Sequence, residues 1–156
     1  MFVFTAILSV HTQFPSFTFH DLTDTIPGIL DQWKKEGFVF DAVYSGYLGS
    51  LRQIELVERA WDSCLAPGGL KIVDPAMADN GKLYTGFDMA FVEEMKKLCA
   101  EADYVIPNLT EACFLTGVEY KTEYDRAYID EILEKLVALG CKNIIFTGIS
   151  YEEGKT

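Results

Sequence analysis

Two segments carry side chains that could do chemistry. They are Asp74-Pro-Ala-Met-Ala-Asp79-Asn-Gly-Lys-Leu-Tyr84 and, beginning 33 residues after Asp74, Pro107-Asn108-Leu-Thr-Glu111. Each follows a short apolar run, Leu70-Lys-Ile-Val73 or Tyr104-Val-Ile106, that reads as a strand. Carboxylates therefore stand at the carboxyl ends of strands, where open α/β sheets bind ligands. Such groups repel a bare polyphosphate but suit one that arrives with a divalent metal. The chemistry in view is a metal–nucleotide site. Each residue also has a plainer reading. Asp74 before Pro75 reads equally as a turn former, Asp79-Asn80-Gly81 as a turn, and Asn108 with Glu111 as a helix cap. His11-Thr12 follows a strand end and can be incidental. Tyr47, in Ser45-Gly-Tyr-Leu-Gly49, lies between glycines that let backbone approach a ligand, or is a packed aromatic.

The elements that must position these residues alternate along the chain. Strands are expected at Phe2 to Ser9, Phe40 to Tyr44, Leu70 to Val73, Tyr104 to Ile106 and Asn143 to Thr147. Helices are expected from Leu22 to Glu36, interrupted early by Pro27-Gly28, and from Leu51 until Pro67-Gly68-Gly69 stops the pattern. Further helices are expected around Phe87 to Ala102, after Asn108, and from Thr122 to Gly140. Phe14, Phe17 and Phe19 alternate with polar residues as a cover strand, flap or packed edge. Helices between successive strands imply crossovers, hence an α/β fold with a largely parallel sheet and helices on both faces.

A length of 156 residues suggests one domain spanning 1–156, and an apolar fraction of 49% excludes disorder. No apolar run is long enough for a membrane helix, and the apolar start lacks the basic flank of a signal peptide. A net charge of −11 argues against nucleic acid as a partner. Cys64, Cys99, Cys113 and Cys141 are widely spaced and lie in or beside apolar segments. Buried reduced thiols are expected, not a disulfide framework or zinc site. No GxGxxG occurs, and Gly148 to Thr156 departs from P-loop spacing and reads as a solvated turn.

Taken together, Ser9-Val-His-Thr-Gln-Phe-Pro15, Phe17 to Asp24, Ser45-Gly-Tyr-Leu-Gly-Ser50, Asp74 to Tyr84 and Pro107 to Ala112 resemble the pyridoxal kinase branch of the ribokinase-like superfamily. The resemblance implies a three-layer ribokinase-like fold and transfer of phosphate from ATP to the 5′-hydroxymethyl of pyridoxal. It implies that His11, Thr12 and Tyr47 contact substrate, and that Asp74, Asp79, Tyr84, Asn108, Glu111, Thr147 and Gly148 border ATP. Asp74 and Glu111 would reach Mg²⁺ through water, with a monovalent cation as a further partner. A cytoplasmic homodimer is also implied. Hydroxymethylpyrimidine kinases share the Asp-Pro and Pro-Asn-x-x-Glu elements and form an alternative, as does a non-catalytic binding or structural remnant of the fold.

The chain departs from the family pattern at Ala76 and Ala78, where Val and Gly are usual, at Ile106, where Thr is common, and at Val10, where a polar residue is frequent. Against the pyridoxal kinases it corresponds to a middle portion, incomplete at both ends. It begins after the first strand and stops before the Gly-rich segment with the catalytic Asp. Asp125 and Asp130 read as solvated helix charges and do not replace that base. The resulting expectation is a fragment inactive by itself.

Overall fold

The computed structural model describes Met1, residues 3–8, Ser16 and residues 18–150. A parallel four-stranded sheet forms its centre. The strands are β3 (Phe40–Ser45), β4 (Leu65–Val73), β7 (Tyr104–Val105) and β8 (Asn143–Ile144), adjacent in that order. Ser45 pairs with Val73, Val73 with Val105, and Val105 with Ile144. All four chains therefore leave the sheet on one side, which puts Gly46-Tyr47, Asp74, Asn108 and Thr147 along a common rim. The expected three-layer α/β architecture, with a largely parallel sheet flanked by helices, is present.

The helices are α1 (Ile26–Lys35), α2 (Leu51–Cys64), α3 (Met89–Glu101), α4 (Leu109–Thr116) and α5 (Arg126–Leu139). Four of them begin on a side chain that accepts a first-turn N–H: Ser50 from Gln53, Asp88 from Phe91, Asn108 from Glu111 and Asp125 from Tyr128. These caps satisfy donors that would otherwise be orphaned at a helix start. Phe91, Val92, Met95, Leu98 and Cys99 of α3 recur at helical spacing and are buried, as are Ile129, Ile132 and Leu136 of α5. They meet Val73 and Val105 in one core, each large side chain contributing roughly 1.5–3 kcal/mol. Cys64, Cys99, Cys113 and Cys141 are all buried and free, as the spacing implied. Burial pushes the Cys99, Cys113 and Cys141 thiols above their ordinary range.

Several expected boundaries are corrected. Pro27-Gly28 does not interrupt α1 but opens it, because a proline at the first helical positions gives up an N–H that has no partner anyway. Pro67-Gly68-Gly69 does not separate helix from strand. β4 starts at Leu65, directly after α2, and absorbs these residues as a bulge, β3 advancing two residues while β4 advances five. Gly68 takes φ +78 there, a backbone state that glycine tolerates. The last helix starts at Arg126 rather than Thr122, with Asp125 as its cap. The first strand, β1 (Ala6–Leu8), lies outside the central sheet and pairs antiparallel with β2 (Phe19–Asp21). Phe14 and Phe17 fall outside the described residues.

Gln53 ties this outer segment to the rim. It is only 1% exposed. Its Oε1 accepts from the Gly49 N–H at 2.7 Å, and its Nε2 donates to the Thr5 carbonyl at 3.1 Å and to Thr23 Oγ1 at 2.7 Å. A leucine there would leave the Gly49 N–H and the Thr5 carbonyl without these partners. Gln53→Leu is expected to cost about 2–3 kcal/mol, from buried polar groups left unpaired. Urea unfolding would show this as a lower midpoint at unchanged slope.

Candidate functional site

The rim is assembled from loops that the strands deliver to one place. Beyond β4, Asp74 leaves the sheet with its N–H donated to the Ser45 carbonyl at 2.8 Å, and its Oδ2 accepts the Tyr44 hydroxyl at 2.7 Å. Burial, the bond to Asp74 and the charges of Asp74 and Glu111 push the Tyr44 phenol up to about 12. It therefore stays protonated and donates throughout the physiological range. Sequence reasoning did not single out Tyr44. The signal available was its place in β3, one strand over from the carboxylate.

Glu111 is the most constrained acid of the site. Asn108 and Glu111 form a reciprocal cap: Asn108 Oδ1 accepts the Glu111 N–H, and Glu111 Oε2 accepts the Asn108 N–H, both at 2.9 Å. Glu111 Oε1 reaches across to the Met77 N–H at 3.3 Å, while Asn108 Nδ2 donates to the Ala78 carbonyl at 2.9 Å. The start of α4 is thus stitched to the segment after Asp74. Glu111 is 3% exposed. Burial pushes its carboxyl up to about 7; the Asn108, Met77 and Ala78 N–H groups oppose that rise and the Asp74 charge adds to it. A helix cap is the plainer reading of this pair, and the geometry contains that cap together with a cross-link beyond it.

Asp79 stands on a hairpin, β5 (Ala78–Asp79) with β6 (Lys82–Leu83), closed by Asn80-Gly81 at φ 50 and 75. Both turn residues take positive φ, as a two-residue hairpin turn requires, so Asn-Gly is the fitting sequence. The Asp79 carboxylate accepts the N–H and the side-chain amide of Asn80, each at 2.9 Å. Ala78, where the family pattern has glycine, is fully buried and keeps a negative φ, so glycine is not required there. Tyr84 follows the hairpin. Burial raises its phenol first, and the charges of Glu111, Asp79 and Asp74 raise it further, so one ring senses all three acids. Thr147 closes the rim, its N–H and hydroxyl donating to the Pro107 carbonyl at 2.9 and 3.2 Å beside the Asn108–Thr147 bridge.

Two cavities open on this rim. One, of about 360 Å³, is lined by Asp79, Asn108, Thr110, Tyr120 and Gly148 among others. The other, of about 600 Å³ and mostly apolar, includes Tyr44, Ser45 and Tyr47 in its wall. The Ser45 hydroxyl is buried and has no hydrogen-bond partner among the described residues. Tyr47 joins the acidic side through an aromatic series: Tyr47 to Phe87 at 5.7 Å, and Phe87 to Tyr84 at 6.5 Å between ring centroids. The structure thus brings together Tyr47, Asp74, Asp79, Tyr84, Asn108, Glu111, Thr147 and Gly148. His11 and Thr12 lie outside the described residues.

The donor set also bears on a cation. Among the described residues no group of three or more His, Cys, Asp or Glu is placed to hold a metal. Both Glu111 oxygens already accept backbone N–H groups, and Asp74 is engaged by Tyr44. Two such carboxylates suit a divalent ion that keeps its waters and takes further oxygens from a nucleotide, not a closed protein cage.

A carboxyl raised from 4.5 to about 7 favours the folded state most below pH 4.5, and that advantage is lost as pH rises through 7. In chelator and without nucleotide, the melting temperature should therefore fall between pH 5 and 8 on account of Glu111. In Glu111→Gln that slope should flatten, although the amide starts from a lower melting temperature because its NH₂ faces a backbone donor.

Comparison with known proteins adds the following. A family model described as phosphomethylpyrimidine kinase matches residues 1–156. A crystal structure from Bacteroides thetaiotaomicron, provisionally described as a phosphomethylpyrimidine kinase and holding pyridoxal, is 43% identical, with a TM-score of 0.87 over 96% of this chain and 52% of that one. Pyridoxal kinase from Leishmania donovani in complex with ADP and pyridoxamine is 25% identical, with a TM-score of 0.75 over 91% of this chain and 50% of that one. Pyridoxal kinase from Dictyostelium discoideum is 27% identical over 150 residues, 93% of this chain and 48% of the relative. The chain spans less than half the length of the curated relatives it matches. These findings correct three expectations. The match runs from residue 1 to residue 156, so the likeness is not to a middle portion only. The reading of a pyridoxal kinase fragment, inactive by itself, is corrected by the family match, which fits the hydroxymethylpyrimidine alternative better, while relatives of both the pyridoxal and the pyrimidine type are found. The reading of an enzyme whose catalytic segment is absent is overturned by the same match.

Proposed function

The chain belongs to the phosphomethylpyrimidine kinase family, and on that premise we propose that it transfers the γ-phosphate of ATP to the hydroxymethyl group of a small heteroaromatic ring, with a hydroxymethylpyrimidine as leading substrate. The observation that carries this reading is the rim itself. Asp74, Asp79, Asn108 and Glu111 converge through hydrogen bonds between the Asp74–Tyr84 segment and the start of α4, with a cavity on either side.

In this reading the 360 Å³ cavity takes the triphosphate between Asp79, Asn108 and Gly148. Thr147 fixes the chain there through its bonds to Pro107. The larger cavity takes the ring. Tyr47, backed by Phe87, offers an aromatic face, and the unpartnered Ser45 hydroxyl offers a hydrogen bond to a ring heteroatom or substituent. Tyr44 touches both regions, lining the ring cavity while its hydroxyl orients Asp74. Phosphoryl transfer asks the protein mainly to align the alcohol with the phosphorus and to offset charge. A rim of carboxylates in a chain of net charge −11 cannot offset a triphosphate by itself. Asp74 and Glu111 would hold Mg²⁺ through water, and the ion would supply the charge neutralisation that the carboxylates cannot. The pyridoxal in the Bacteroides relative supports a second reading, in which the ring is a pyridine of that type.

The test is ATP turnover by the purified chain with hydroxymethylpyrimidine and pyridoxal side by side. ADP release should depend on the alcohol and favour the pyrimidine, and Asp74→Asn should lower kcat about 10²-fold, the scale of losing one preorganised electrostatic group. A preference for pyridoxal would select the second reading. A folded protein that releases no ADP with either alcohol would refute both.

A further inference from the structure

Asp79 sits on a hairpin that cannot hold itself in place. Its two rungs pair Ala78 with Leu83 and Asp79 with Lys82, and an isolated hairpin of that size is not stable in water. Something outside it must fix the tip, and two side chains from elsewhere in the chain reach it. Thr110, 2% exposed and adjacent to Glu111 in α4, accepts the Gly81 N–H on its Oγ1 at 3.1 Å. Tyr120, from the α4–α5 connection, packs against the same glycine. A Cβ at Gly81 would stand 2.7 Å from its Cδ1, so ring and backbone are in direct contact and only glycine fits beneath it.

We propose that Thr110 and Tyr120 are positioning residues that latch the Asn80-Gly81 turn and thereby set the Asp79 carboxylate for the triphosphate, a role that rests on the phosphotransferase reading above. The link from turn to carboxylate is direct. Both Asp79 oxygens are held by Asn80, one through the backbone N–H and one through the side-chain amide. The direction of the carboxylate therefore follows the turn. The base of the hairpin is fixed separately, by Asn108 Nδ2 on the Ala78 carbonyl and by the Tyr84 N–H on the Met77 carbonyl at 2.9 Å. Releasing the latch frees the tip while leaving the base and the Glu111 cap intact. Thr110 and Tyr120 share the wall of the 360 Å³ cavity with Asp79, and neither lines the larger one. The latch should consequently act on nucleotide and not on alcohol.

Thr110→Val removes the acceptor at constant shape and Tyr120→Ala removes the ring, whereas Thr110→Ser and Tyr120→Phe keep what the latch needs. Amide exchange of residues 78–84 should speed up about tenfold in the first pair, the scale of one hydrogen bond left unmade. Exchange in α5 should stay as in wild type, showing that the fold persists. By calorimetry, Kd for Mg-ATP should rise about fivefold or more in the first pair and return to the wild-type value in the conservative pair. KM for the alcohol should not move. Unchanged exchange at 78–84, or faster exchange with unchanged Mg-ATP affinity, overturns the latch while leaving the phosphotransferase reading intact. A wild-type chain that binds no Mg-ATP overturns that reading and the latch with it.

Discussion

Glu111 sits in the joint between a helix start and a loop, and its burial sets the terms for everything around it. A carboxylate in that position loses most of its water and recovers hydrogen bonds from the backbone of Asn108 and of the Met77–Ala78 segment. Those donors come from two stretches of chain that are remote in sequence, so the acid can be satisfied only when both are in place. The cap on α4 and the path of the chain after Asp74 are therefore one structural decision. The neighbouring Asp74 charge makes the joint more costly still, and Tyr44 moderates it by donating to Asp74 from the next strand. A site of this kind holds its acids close together against their repulsion, a condition suited to a ligand that brings positive charge.

Around that joint, order is supplied by side chains of ordinary chemistry. Gln53 binds three separate stretches of backbone and side chain behind the loop that bears Tyr47. Phe87 sits between Tyr47 and Tyr84 and stacks on Phe91 at 4.2 Å, so the aromatic series is anchored in α3 and the main core. The acidic side and the ring side of the rim are thus built on the same sheet but braced by different helices.

Much of this was legible in the sequence because the signals were local. The Asn108–Glu111 capping box, the Asn80-Gly81 turn and the helical spacing in α3 each depend on residues a few positions apart, and each appears where the pattern put it. The acids at strand ends were legible for a related reason, since parallel strands necessarily deliver their carboxyl ends to one edge. What was not legible depends on long-range pairing. Pro67-Gly68-Gly69 reads as a break in any local window, yet β3 supplies enough neighbouring backbone to carry it as a bulge. The Tyr44–Asp74 bond joins residues 30 apart and the Gln53–Thr5 bond joins residues 48 apart, and no periodicity announces either. Asp125 looked like a solvated charge because the next helix was expected to start earlier; once α5 begins at Arg126, the same residue becomes its cap.

The four buried thiols have a practical corollary. Cys64 ends α2, Cys99 lies in α3, Cys113 in α4 and Cys141 just past α5, and none is exposed. Burial keeps Cys99, Cys113 and Cys141 in the neutral form, which is a poor nucleophile. Alkylating reagents must therefore wait for the layers to part. The rate at which each sulfur is modified becomes a clock for the opening of the segment that carries it, read without adding any label to the chain.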